Sequence, residues 1–230
     1  MPHRHYIDPF DLVVRSEDLE RLLTLFMRLE ERMTDAFPKA ARVLEDSKDP
    51  TAKQARGTSR RHHYHKALES AASDAGIDCV TRWTEPATWS FPVVRLGGFS
   101  ATIGVVEAKY RGAGKSLRSK SKYVQDLCRR NAVIDPQNDL FTRDDKPEAL
   151  IPDGSLGGLV VAQYDWTTPT KPAFLGFWVP SSDLSDVFYV RSFDEIIGML
   201  RERLSLAKRP AKKTVERKPL RRKKKPGSEG

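Results

Sequence analysis

Cysteine is scarce in this chain and long apolar runs are missing from it. With two cysteines among 230 residues, Cys79 and Cys128, neither a disulfide framework nor a cysteine-rich zinc site can be assembled. Each is read instead as a small buried hydrophobe. No apolar stretch approaches the ~18 residues that a membrane span requires, and the opening Met-Pro-His-Arg-His-Tyr lacks the apolar centre of a secretory signal. No membrane partner is expected, and an intracellular location follows, in the cytoplasm, nucleoid or nucleus. No internal repeat and no Ser-His-Asp ordering stand out either.

What the chain has in excess is positive charge, and its distribution matters more than its total. The formal net charge is +9. Residues 208–230 hold eleven Lys and Arg against two Glu, which already accounts for the whole excess, and the remaining 29 bases and 29 acids cancel. That tail has three prolines and almost no apolar residues, so it cannot bury enough surface to fold alone and is expected to be disordered. Inside the neutral body two segments stand out as basic. Residues 53–66 carry five bases and no acid, and residues 109–130 carry eight bases against Asp126. Brought together by the fold, they would form a phosphate-binding strip made of Arg60, Arg61, Arg111, Lys115, Arg118, Lys120, Lys122, Arg129 and Arg130. Tyr64, Tyr110 and Tyr123 are available there to stack on bases.

Periodicity divides the chain into three parts. Leu19, Leu22, Leu23, Phe26, Leu29 and Met33 form a helical stripe after a Ser16 cap, and a shorter helix from Asp35, bent near Pro38, follows. Residues 1–49 therefore read as an N-terminal helical extension, whose Leu/Phe face is a candidate for dimerisation or a protein partner. Residues 50–207 read as an α+β core domain with a central mixed or antiparallel sheet flanked by helices. Its elements are a helix over 60–75 stopped by Gly76, strands over 78–83, 90–96 and 101–110, a helix over 115–130, and strands over 159–166 and 173–179. A last helix opens on the capping box formed by Ser192 and Glu195. Gly97-Gly98 predicts a hairpin, while residues 131–158 read as a long irregular loop. Trp83, Trp89, Trp166, Phe177 and Trp178 read mainly as core, with room for one or two of them to line a groove.

The sharpest local pattern is Thr102-Ile-Gly-Val-Val-Glu107-Ala-Lys109. On a strand Glu107 and Lys109 share a face, the arrangement of a carboxylate that holds a divalent cation beside an ammonium that orients water. Here, and in the order helix, three strands, helix, strand over residues 59–166, the chain resembles the PD-(D/E)XK nuclease superfamily. That resemblance implies a restriction-nuclease-like fold and magnesium-dependent phosphodiester cleavage, with Glu107 and Lys109 catalytic and Glu69 as the carboxylate of the first helix. The family's strand Asp has no counterpart in Ser90–Leu96, so Asp78, one strand earlier, or Glu85, before Pro86 in a loop, would have to join Glu107 as the second metal ligand. Arg111-Gly-Ala-Gly114-Lys115-Ser116 resembles the end of a nucleotide-binding loop, but Lys109 stands where that loop needs its first Gly. His62, His63 and His65 lack the further ligands of a zinc site. The sequence thus points to a nucleic-acid-binding protein, DNA ahead of RNA, with a magnesium-dependent nuclease and a protein-interaction adaptor as the alternatives. No cofactor is implied unless the nuclease reading holds.

Overall fold

The computed structural model describes residues 8–15, 17–42, 52–107, 122–134, 151–165 and 167–208. The chain starts with α1 (Pro9–Val14), where the Asp8 carboxylate accepts from the Phe10 amide at 2.9 Å. Helix α2 (Leu19–Arg42) follows, with Asp18 Oδ1 accepting from the Glu20 amide at 2.7 Å in the capping role expected of Ser16, which lies outside the described residues. The helix does not end or restart near Pro38 as the sequence suggests. Proline removes one backbone hydrogen bond there, but Met33, Ala36, Phe37, Ala40 and Ala41 are buried on either side of it, and packing carries the helix through.

Helix α3 (Ala52–Ala75) begins well ahead of the expected Arg60 and stops where expected, at Gly76, whose φ of +64° suits a helix C-terminus. A six-stranded sheet follows in the simple order β1-β2-β3-β4-β5-β6: Cys79–Trp83, Ser90–Leu96, Phe99–Glu107, Leu156–Tyr164, Pro172–Pro180 and Val187–Ser192. Every neighbouring pair is antiparallel except β3 and β4, which run parallel, so the sheet is mixed. The β2–β3 hairpin turns at Gly97-Gly98, and β4 and β5 form the second hairpin. Between β3 and β4 lie α4 (Lys122–Cys128) and a 3-10 turn (Arg129–Val133). Strand β6 has no counterpart in the sequence reading, because its six residues run directly into the capping box of α5 (Phe193–Ala207).

Each strand alternates its side chains between two unequal faces. Val94, Leu96, Phe99, Ala101, Ile103, Leu156, Val160 and Phe177 face α2, α3 and α5 and form the main core with them. On α2, Leu22, Leu25, Phe26, Leu29, Met33 and Phe37 are all fully buried in that core. The Leu/Phe stripe expected to face a partner is therefore consumed inside the molecule. Among the described residues α4 packs on the opposite sheet face, through Val124 and Cys128 against Val106, Leu159, Val161 and Trp178, with Leu184 beside them. Among the described residues, this seven-residue helix leaves the β1–β2 end of that face uncovered. Among the described residues no helix is long and apolar enough to cross a membrane.

Candidate nucleic-acid interface

The open end of the second face is a cleft of about 450 Å³. Its floor is Phe91 and Val93 of β2 with Ser100 of β3, and Arg82, opposite Phe91 in the β1–β2 ladder, stands on the same face. Tyr123 of α4 stacks on Phe91 with ring centroids 4.0 Å apart and planes 19° from parallel, which ties the helix to the strand. Lys122, Asp126 and Arg130 line the α4 side, and Arg61 reaches round the end of the hairpin from α3. Four cations thus face the cleft against two carboxylates, Glu85 and Asp126, and Asp126 is already paired with Arg129 at 3.3 Å.

The rim of the cleft is the β1–β2 loop, with Trp83 at one shoulder and Trp89 at the other. Of the aromatics read mainly as core, these two are the ones that line a groove, and they are 64% and 46% exposed. The run Thr84-Glu-Pro-Ala-Thr88 between them was the available signal, since residues bracketing a tight loop are rarely both buried. The loop is held by its own hydrogen bonds. Thr84 N donates to Trp89 O at 2.8 Å, Trp89 N to Thr84 Oγ1 at 3.1 Å, and Thr88 N to Pro86 O at 2.7 Å. Arg61 lies over Trp89, its guanidinium carbon 5.8 Å from the ring centroid.

Among the described residues the two basic segments therefore meet. Arg61 comes from the first, and Lys122 and Arg130 from the second, while Arg129 projects into solvent beside them. Arg60 does not belong to this surface. It is 2% exposed, with its guanidinium carbon 4.5 Å from the Tyr164 ring centroid, because it sits one turn before Tyr64 on the buried stripe of α3. Tyr64 is itself fully buried against Phe37 and cannot stack on a base. Lys109, Tyr110, Arg111, Lys115, Arg118, Lys120 and Trp166 lie outside the described residues.

The carboxylates named for a metal site are kept apart by strand register. The amide of Arg95, opposite Ser100 on β3, donates to Asp78 O at 3.1 Å, which sets Asp78 level with the start of β3. Glu107 is seven residues further along that strand, on the order of 20 Å away at ~3.3 Å per residue. Glu69 is hydrogen-bonded to Thr81 Oγ1 at 3.2 Å on the edge strand β1, whereas Glu107 lies beside Tyr164 of β4. One magnesium ion cannot be shared by Glu107 and Asp78. Among the described residues no three His, Cys, Asp or Glu side chains converge on a cation site, the three histidines of α3 included. Burial pushes the Cys79 thiol up to about 11, helped by Glu69 and Asp78, and the Cys128 thiol up to about 12, so neither is a nucleophile near neutral pH.

Comparison with protein-family models, curated proteins and solved structures returned no match to this chain. The geometry of the cleft carries the functional reading.

Proposed function

We propose that this protein binds nucleic acid through the cleft between the β1–β2 hairpin and α4, with the cationic C-terminal segment adding sequence-independent attraction. The observation that supports this reading is the convergence of Arg61, Arg82, Lys122 and Arg130 on a cleft rimmed by two exposed tryptophans, in a body whose total charge is neutral. Phosphates are neutralised by such cations with release of counterions, and aromatic rings take the base faces. The order helix, three strands, helix, strand supports kinship with nuclease folds, but the register separation of Asp78 from Glu107 gives no basis for a metal held by that pair.

The deciding experiment compares the full chain with a chain truncated after Ala207, measuring DNA and RNA binding across a salt series. The truncated chain is expected to bind more weakly yet measurably, with affinity falling as salt rises. Charge reversal of Lys122 and Arg130 is expected to flatten the salt dependence by about one unit of log-log slope per cation. Loss of all binding on truncation would assign the affinity to the tail and sink the cleft.

A further inference from the structure

Resting on the nucleic-acid reading above, we propose that the cleft takes a single strand, with unpaired bases stacked on Trp83 and Trp89 and the adjoining phosphates held by Arg61, Lys122 and Arg130. Trp83 and Trp89 are among the few exposed large hydrophobics of a chain that buries Phe26, Phe37, Phe99, Phe177 and Phe193 almost completely. Leaving a Trp in water forgoes a large burial gain, and here two line one cleft from the two ends of the same loop.

The loop between them is fastened by the hydrogen bonds of Thr84, Thr88 and Trp89, so both rings are carried on a preformed support. Stacking on a ring already held in place costs little ordering entropy. Arg61 covers one side of Trp89, a position from which its guanidinium reaches a phosphate next to a base stacked on the other side. Tyr123, by contrast, has its ring engaged by Phe91 and serves as floor rather than platform.

The arrangement discriminates between single and double strands. A duplex keeps its base faces inside its own stack and offers only groove edges and phosphates, so it can use the cations but not the indoles. A single strand uses both.

The test uses the full chain with fluorescein-labelled oligothymidylate and oligouridylate of about a dozen nucleotides, and a duplex of the same length. Binding is followed by anisotropy and by quenching of tryptophan emission. Expected are tighter binding of the single strands than of the duplex, and quenching by single strands that is lost in Trp83→Ala/Trp89→Ala. Each single Ala variant should lose roughly tenfold in single-strand affinity, whereas Trp89→Phe keeps most of it. The two oligonucleotides separate a DNA ligand from an RNA ligand. Because both indoles are exposed, an unchanged thermal transition certifies that the variants fold.

Equal affinity for duplex and single strand, or single-strand binding indifferent to both Trp substitutions, overturns the proposal. A self-association abolished by Trp83→Ala, with oligonucleotide binding intact, overturns it equally. If Lys122→Glu/Arg130→Glu still weakens duplex binding in those cases, the nucleic-acid reading stands without the stacking. If the charge reversals change nothing, that reading itself fails.

Discussion

His65 shows how one side chain records its surroundings. It sits on α3 next to the cleft-lining helical turn, and burial, followed by the positive Arg61 and by His62, pushes its pKa down to about 4. In the unfolded chain a histidine titrates near 6.5. Between those values the unfolded state binds the extra proton, so stability is fully present above pH ~6.5 and is lost as pH falls toward ~4. The urea midpoint is expected to drop from pH 7 to pH 4.5 and to change less over that interval in His65→Gln, and equal pH profiles for the two proteins would refute this. The cluster His62, His63 and His65 was visible in the sequence, but the burial that silences one of them was not. Arg60 and Arg61 make the same point, since adjacent positions on a helix point about 100° apart and only one of these neighbours reaches the cleft.

The α4 side of the cleft depends on where that helix is seated. Asn131, fully buried in the 3-10 turn after α4, donates from Nδ2 to Gly157 O at 2.9 Å and to Pro180 O at 2.7 Å, and its Oδ1 accepts from Gly157 N at 2.7 Å. Gly157 in β4 lets the helix approach, because a Cβ there would lie 2.3 Å from Leu127 O. Asn131→Ala is expected to cost at least about 2 kcal/mol, since it strands buried backbone groups of two strands. Gly157→Ala should cost about 1–3 kcal/mol by overpacking. Urea denaturation measures both, and oligonucleotide binding should weaken in parallel as Lys122, Tyr123 and Arg130 lose their seat. Either variant at wild-type stability would show that the clamp is not needed. Most strands, both hairpins and the capped last helix were legible, because alternation, paired glycines and a capping box are local signals. Strand β6 and the unbroken α2 were not, for β6 is completed by its ladder with β5, and α2 passes Pro38 on the strength of its burial.

At the level of the molecule, α2 belongs to the same core as the sheet. Its buried leucines and phenylalanines pack with α3, α5 and the strands, and Arg32 and Arg28 reach Asp74 of α3 at 2.5 and 3.9 Å. A chain starting at residue 50 is therefore expected to lose cooperative thermal unfolding by circular dichroism, because the face that α2 covers would be bared to water. Retention of a sharp transition by that shorter chain would make α2 an appendage after all.

Counting residues along the sequence determined an α+β class, a central sheet flanked by helices, and a neutral body with its excess charge in residues 208–230. These follow from composition and period, which are properties of neighbours in the chain. Only the tertiary structure decided which cations share a surface, that Arg60 is interior, which of the tryptophans line a groove, and that Asp78 and Glu107 stand too far apart to hold one ion. Those outcomes depend on strand register and on which face a short helix covers, and both are set by contacts between residues remote in sequence.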